Sequence, residues 1–112
     1  MKIYFKTKKL KKVCSSQKEM LKTCGSKRAR KLQQRLMELQ AAETLEQISY
    51  LPPLRCHELS GDMASWFSVD LDHPYRLLFI PVSNPVPKIE EGGIDRSKVT
   101  EIEIIEISNT HE

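Results

Sequence analysis

The sequence lacks the features that mark membrane and secreted proteins. None of its 112 residues belongs to an apolar run approaching the roughly 20 residues that cross a bilayer. The opening stretch, MKIYFKTKKLKKV, is charged throughout and has no apolar segment of the kind found in secretory signals. We therefore predict a cytoplasmic protein with no membrane partner, folded as a single domain over residues 1–112.

Cysteine is scarce, and the common cofactor motifs are absent. The three cysteines, Cys14, Cys24 and Cys56, are odd in number and form no C-x-x-C pair. They are predicted to be reduced thiols packed as small hydrophobic residues, and a catalytic thiol is the alternative. The sequence contains no P-loop, no G-x-G-x-x-G, no H-E-x-x-H and no carboxylate-rich loop. We expect no metal and no cofactor.

Charge is plentiful but unevenly distributed along the chain. Residues 1–35 hold thirteen Lys or Arg against one acid, Glu19, a net charge of +12. The remainder holds five basic residues against fourteen acids, a net charge of −9. Such segregation favours a polyanion or an acidic protein as the partner of the basic end, although a solvated helix surface would show the same charges.

The first half of the chain predicts a strand followed by two helices. Residues 2–6 alternate as a short strand does, and residues 8–23 have helical spacing with lysines on one side. Gly25 is predicted to end this helix and Ser26 to cap the next. Apolar positions of the second helix recur at Ala29, Leu32, Leu36 and Leu39. Its basic residues are predicted to face solvent: Lys27, Arg28, Lys31 and Arg35.

The second half predicts strands. Residues 64–71 alternate, with Phe67, Val69 and Leu71 on one face and Trp66, Ser68 and Asp70 on the other. Residues 83–98 are predicted to be a long surface loop and residues 109–112 a tail. A change of apolar face within the last strand predicts either a bulge or burial on both sides. The predicted strands are residues 64–71, 75–82 and 99–108, and residues 55–60 are a short extended piece that could add a fourth.

These elements predict an α+β fold in the order β-α-α-β-β-β. An N-terminal strand and two helices pack on a small antiparallel sheet. Three histidines are candidates for chemistry within it. His73 lies in a turn, His111 lies near the end of the chain, and His57 lies in the piece that enters the sheet. A lone histidine in a strand is more often structural than catalytic.

Several local runs carry a resemblance to a known family. The run RCHELSGD from Arg55 to Asp62 resembles an R-x-H-x-L-x-G pattern, and WFSV followed by YRLLF resembles a W-S-[IV] hairpin that ends in an aromatic residue and arginine. The opening IYF with KLKK, and ARKL with its leucine stripe, resemble the first strand and the helices of the same proteins. With these runs, the chain resembles the small toxins of the RelE/ParE superfamily, and most closely the HigB-type host-inhibition toxins.

The resemblance implies a RelE-like fold and a toxin that cleaves mRNA on the translating ribosome without a metal. It implies the ribosome, mRNA and a cognate antitoxin as partners, the antitoxin being a HigA-like helix-turn-helix protein. Histidine suits proton transfer near neutral pH, and arginine suits phosphate. The catalytic residues implied are His57, Arg76 and His111. The substrate-binding residues implied are Arg55, Lys27, Arg28 and Lys31.

The chain departs from the family pattern at two places. Ser60 stands where the family often has lysine before the glycine, and Asn109-Thr110 stands where it often has an acid and tyrosine before the last histidine. Two other functions stay open. One is a ParE-like topoisomerase inhibitor that cuts no RNA, and the other is an inactive module that binds an antitoxin or acts as a regulator.

Overall fold

The N-terminal half forms a helical layer. The computed structural model describes residues 1–63, 65–83 and 85–109, with Asp62 described by its backbone alone. Strand β1 spans Lys2–Phe5, and helices α1 and α2 span Lys8–Ser15 and Gln17–Ala41. None of the helices in these residues is long and apolar enough to cross a membrane.

The break between the helices lies at Ser16. The Oγ of Ser16 accepts a hydrogen bond from the backbone N–H of Glu19 at 3.3 Å and so caps α2. Gly25 has φ 78° and ψ 165°, outside helical geometry, so α2 consists of two helical stretches joined by a kink at this residue. The predicted helix break at Gly25 is therefore confirmed, and glycine adopts this positive φ readily. The earlier break at Ser16 was not predicted.

The second half forms the sheet. Its strands are β2 (His57–Glu58), β3 (Phe67–Asp70), β4 (Arg76–Pro81) and β5 (Glu101–Ser108). The sheet order is β1-β5-β4-β3-β2, in which β1 runs parallel to β5 and every other pair is antiparallel. The predicted α+β fold is confirmed. The sheet predicted to be antiparallel is mixed, because β1 pairs parallel with β5. A parallel pair cannot be joined by a hairpin, and here most of the chain, including both helices, lies between its two strands.

A bulge in β5 explains the change of apolar face within that strand. Leu78 pairs with Glu106 and the next residue, Phe79, pairs with Ile104, so Ile105 is the extra residue. Ile104 packs in the main core, whereas Ile105 belongs to a second cluster with Leu59 and Leu78. The inserted residue shifts the alternation by one and returns Ile107 to the main core.

The core lies between the helices and one face of the sheet. Leucines of α2 pack there against alternating residues of the strands, which bury Phe67, Val69, Leu77 and Phe79 completely. We call this side of the sheet the covered face. The predicted stripe is confirmed, because Ala29, Leu32 and Leu39 are buried and Leu36 packs against them.

Arg35 departs furthest from the predicted solvent side of α2. Only 1% of the residue is exposed. Its Nε donates to the backbone oxygen of Asp70 at 2.7 Å, its Nη1 to a Glu38 carboxylate oxygen at 2.8 Å, and its Nη2 to the backbone oxygen of Pro53 at 3.3 Å. The prediction that Arg35 faces solvent was wrong, since this side of the helix lies against β3 and the segment before β2.

The segment 83–98 is anchored to the rest of the fold. Ile94 is 7% exposed and belongs to the main core. An isolated bridge pairs Lys88 with Ile94, and a single 3₁₀ turn spans Arg96–Lys98. The Asp95 carboxylate accepts a hydrogen bond from the backbone N–H of Ser97 and opens that turn. These contacts place one apolar side chain of the segment inside the core.

Candidate functional site

The face of the sheet that points away from the helices, which we call the open face, carries the polar candidates. Residues directly opposite one another in neighbouring strands share a face. His57 pairs with Ser68, Ser68 with Leu78, and Leu78 with Glu106. Two residues further along the strands lies a second row on the same face, in which Asp70 pairs with Arg76 and Arg76 with Ser108. Period two therefore brings His57 and Arg76 to one side of the sheet.

One carboxylate joins two of the predicted arginines. Arg55 Nη1 lies 3.4 Å from Asp70 Oδ2, and Arg76 Nε lies 3.7 Å from Asp70 Oδ1. The side chain of Arg55 is 53% exposed, whereas that of Arg76 is 13% exposed. The Arg76 side chain therefore packs against the sheet, whereas the Arg55 side chain extends into solvent. The two guanidinium groups and one carboxylate leave a net charge of +1, which favours an anion.

The ring of His57 is held in a defined tautomer. Its Nδ1 lies 3.1 Å from the backbone oxygen of Arg55. A carbonyl oxygen only accepts, so Nδ1 carries the hydrogen and Nε2 of the neutral ring keeps a free lone pair. Arg55 has a positive φ of 48°, a conformation uncommon for a residue other than glycine. In this backbone conformation the Arg55 carbonyl oxygen lies within hydrogen-bonding distance of the His57 ring.

Two polar atoms on the open face have no partner. Among the described residues, the Ser68 hydroxyl and Nη1 of Arg76 are the buried side-chain polar atoms without a hydrogen bond. Ser68 is completely buried. The two residues lie on adjacent strands, with Ser68 opposite Leu78 and Arg76 two positions along from Leu78. Both face the same side as His57.

The rest of the open face is apolar. Leu59, Leu78 and Ile105 are buried there, and they are packed by three partly buried side chains, Met63, Trp66 and Ile80. Trp66 therefore contributes to packing on this face. This apolar cluster forms one end of the open face, and the two arginines lie toward the other end.

The basic candidates of α2 lie on the other side of the sheet from His57. Lys27 is exposed and Lys31 is half-buried in the helical layer. Arg28 is paired through Nε and Nη2 with the two carboxylate oxygens of Asp72, at 3.1 and 3.3 Å. Its guanidinium carbon also lies 3.3 Å from the ring centroid of Tyr75. Arg28 thus ties α2 to the turn between β3 and β4, next in the chain to Asp70 and Arg76.

His111, the predicted second histidine, and Thr110 lie outside the described residues. In residues 1–63, 65–83 and 85–109 no three His, Cys, Asp or Glu side chains converge to hold a metal ion. Burial raises the pKa of Cys56 to about 11, and burial together with nearby Cys24 raises the pKa of Cys14 to about 11. Burial also raises the pKa of Cys24. At neutral pH these side chains are protonated thiols, which are poor nucleophiles.

Sequence reasoning did not single out Asp70 and Ser68 as site residues. The alternation of residues 64–71 had already placed both on the face opposite Phe67 and Val69, and the pairing confirms that assignment. What alternation could not supply was the carboxylate contact to two arginines from different strands. That contact requires Arg55 and Arg76 to flank β3 on either side.

Comparisons with known proteins agree with this architecture. No protein-family model matches the sequence, and no curated protein matches it. The structure of a YoeB/ParE toxin from Agrobacterium tumefaciens superposes with a TM-score of 0.58 at 13% identity, covering 99% of this chain and all of that one. A YoeB dimer structure from Staphylococcus aureus gives a TM-score of 0.54 at 14% identity, covering 100% of this chain and 98% of that one.

The chain has the fold of the YoeB/ParE toxins. At 13% and 14% identity the likeness concerns the path of the backbone. The closer resemblance to HigB-type toxins stays a prediction.

Proposed function

We propose that this protein is the toxin of a type II toxin–antitoxin pair and that it cleaves mRNA on the ribosome without a metal ion. The observation that carries the proposal is the open face, where His57 in a base-ready tautomer and two arginines share one side of the sheet. The YoeB/ParE toxin fold supports it. The site residues proposed are His57, Arg55 and Arg76, with His111 as the candidate second proton-transfer group.

RNA supplies its own nucleophile, so the protein has only to move protons and stabilise charge. His57 Nε2 accepts the proton of the ribose 2′-OH as that oxygen attacks the adjacent phosphorus. The bond from phosphorus to the 5′-oxygen breaks, and His111 is the candidate donor of a proton to that leaving oxygen. A 2′,3′-cyclic phosphate and a 5′-hydroxyl result. The free lone pair on Nε2 is the acceptor that this first step needs.

The arginines serve the phosphate in this scheme. As the 2′-oxygen attacks, negative charge grows on the non-bridging oxygens, and a guanidinium group provides donors in a fixed fork that matches two of them. Arg76 lies low on the sheet and Arg55 at its rim, so the two approach a phosphate from different sides. Donors already in place cost little reorganisation during the reaction.

The basic surface of the helices supports a ribosomal partner. Exposed lysines and arginines run along α1 and α2, and they are Lys8, Lys9, Lys11, Lys12, Lys18, Lys22, Lys27 and Arg30. Phosphate contacts of this kind give affinity through charge rather than base identity, and they weaken as salt rises. We propose that this surface, with Lys27 and Lys31 and the neighbouring Arg28, binds ribosomal RNA in the cytoplasm.

The antitoxin is the second proposed partner. We expect it to be the product of an adjacent gene and a HigA-like helix-turn-helix protein, as the HigB-type resemblance implies. The segment of net charge +12 should give an acidic antitoxin a fast association rate that falls with salt.

Purified ribosomes translating a defined mRNA test the proposal. We expect the wild-type protein to generate new RNA 5′ ends within the reading frame only when ribosomes are present. The double variant Arg76→Ala, His57→Gln should generate none, and it should melt at the same temperature as the wild type. Cleavage by the double variant would contradict the assignment of these residues. No cleavage by the wild type, together with DNA breaks when it is expressed in cells, would replace the proposal with topoisomerase inhibition.

A further inference from the structure

The unpartnered atoms on the open face indicate where an acceptor is missing. Ser68 Oγ and Arg76 Nη1 are both buried and both without a hydrogen bond among the described residues. A buried donor without an acceptor destabilises a fold, and such groups are rare unless a water, an ion or a ligand completes them. Two of them on neighbouring strands, both on the face that carries His57, point to one ligand rather than to two separate defects.

The Asp70 carboxylate supplies part of the missing acceptor. Its two carboxylate oxygens each contact one arginine, at 3.4 Å to Arg55 and 3.7 Å to Arg76. Both distances exceed the roughly 2.7–2.9 Å of a charge-assisted hydrogen bond, so the carboxylate holds the arginines loosely. Its contact to Arg76 is with Nε, and Nη1 stays unsatisfied.

The backbone of Asp70 is held independently of its side chain. The buried Arg35 donates to the backbone oxygen of Asp70 at 2.7 Å, which ties β3 to α2 at this residue. Rotation of the Asp70 side chain therefore releases both arginines without moving the strand. A phosphate offers more acceptor oxygens than a carboxylate and matches the guanidinium fork as well.

We propose that Asp70 is a displaceable counter-ion of a phosphate subsite formed by Arg55, Ser68 and Arg76. In the free protein Asp70 holds the two arginines. An incoming phosphate takes its place, and one phosphate oxygen accepts from Arg76 Nη1 and from the Ser68 hydroxyl. That the phosphate belongs to RNA rests on the proposed function, whereas the subsite itself does not.

Titration with inorganic phosphate at constant ionic strength tests the counter-ion. The nuclear magnetic resonance signals of the Arg55 and Arg76 Nε–H groups report binding. In Asp70→Asn the competing charge is gone and the size is kept, so we expect phosphate affinity to rise about two- to fivefold, the worth of an exposed ion pair. The control Asp95→Asn removes an equal charge from a different ion pair, with Lys98, and should leave the affinity unchanged.

An unchanged or lower affinity in Asp70→Asn would overturn the proposal, because it would make Asp70 a group that positions the arginines. A measurement on the unaltered protein covers the case in which the variant fails to fold. The side-chain carboxyl carbon signal of Asp70 should shift as phosphate is added, and that of Asp95 should not. A fixed Asp70 signal at saturating phosphate would equally overturn the displacement.

The hydroxyl of Ser68 is tested in the same titration. We expect Ser68→Ala to weaken phosphate binding about tenfold, the effect of one hydrogen bond to a charged group. An unaltered affinity would remove Ser68 from the subsite. Neither titration uses RNA or ribosomes. If the wild type cleaves mRNA but Asp70→Asn binds phosphate no more tightly than the wild type, the proposed function stands and the counter-ion role is refuted. If Asp70→Asn binds phosphate more tightly but the wild type cleaves no mRNA, the counter-ion role stands and the proposed function is refuted.

Discussion

The two faces of this sheet are built from the same strands and differ in almost every other respect. On the covered face Phe67, Val69, Leu77 and Phe79 are apolar and fully buried, and the buried Arg35 of α2, which lies against this face, has three hydrogen bonds. On the open face β3 and β4 carry Ser68, Asp70 and Arg76 at the alternate positions. Both buried polar atoms without partners in the described part of the chain lie there.

This difference indicates that the covered face stabilises the fold and that the open face is suited to bind a ligand. Packing and satisfied hydrogen bonds make the covered face a rigid support, because interiors are close-packed and resist displacement. The open face retains loosely paired arginines and unsatisfied donors, which lower stability and are the features expected of a binding site. The comparison predicts that substitutions on one face change folding and that substitutions on the other change binding or rate.

The largest expected effect is on the open face at His57. We expect His57→Gln to lower the rate of ribosome-dependent RNA cleavage by about 10²–10⁴-fold, the usual contribution of a general base. Glutamine keeps polarity at a half-buried position but takes up no proton at neutral pH. Single-turnover cleavage on ribosomes measures the rate, and thermal melting measures the fold.

The neighbouring residue gives the matched control. Glu58 follows His57 in β2 and pairs with Phe67, so it points to the covered face. Glu58→Gln should leave the cleavage rate within a factor of a few. Equal losses from both substitutions would show that the strand itself, rather than the His57 ring, matters to the reaction.

The sequence predicted the two faces better than it predicted the helical layer. Alternation fixes which side of a strand a residue occupies, so Phe67 and Val69 were assigned correctly to the core and Ser68 and Asp70 to the other side. The shift of face within residues 99–108 was expected as a possible bulge, and the pairing confirms one at Ile105.

What the sequence missed depends on contacts between distant segments. Arg35 follows Leu32 by three residues and precedes Leu39 by four, so helical spacing places it beside the apolar stripe, and only its charge favoured a solvent position. The acceptors that allow its burial, on Asp70 and Pro53, lie far along the chain. The helix break at Ser16 was missed because serine inside a lysine-rich helical pattern gives a weak signal compared with glycine. The face that His57 occupies follows from its pairing with Ser68, and its tautomer follows from the contact with the backbone oxygen of Arg55; the sequence predicted neither.

The second prediction concerns the covered face. We expect Arg35→Met to lower the free energy of unfolding by about 3 kcal/mol. Methionine fills a similar volume but leaves the Asp70 and Pro53 carbonyl oxygens without their donor. Chemical denaturation measures the change. Arg30→Met on the exposed side of the same helix should change stability by less than about 0.5 kcal/mol.

An Arg35→Met variant as stable as the wild type would mean that apolar packing alone holds α2 on β3. The hydrogen bonds of Arg35 would then add little to the stability of the fold. Buried ion pairs elsewhere have been replaced by apolar groups without loss, so the outcome tests whether the three hydrogen bonds of Arg35 outweigh the desolvation of its charge.

The smallest expected effect has the opposite sign, and it distinguishes the two faces most directly. Ser68→Ala removes a buried hydroxyl that has no partner, so we expect the protein to become more stable by about 1 kcal/mol. That gain corresponds to a rise in melting temperature of about 4 °C for a domain of this size. Ser108→Ala, on the same face but partly exposed to water, should change stability by less than about 0.5 kcal/mol.

A less stable Ser68→Ala would mean that bound water satisfies the hydroxyl. The site on the open face would then not lower the stability of the fold. A more stable variant that also binds phosphate more weakly would show that this serine is retained for the ligand rather than for the fold, since stability and function then change in opposite directions at one side chain.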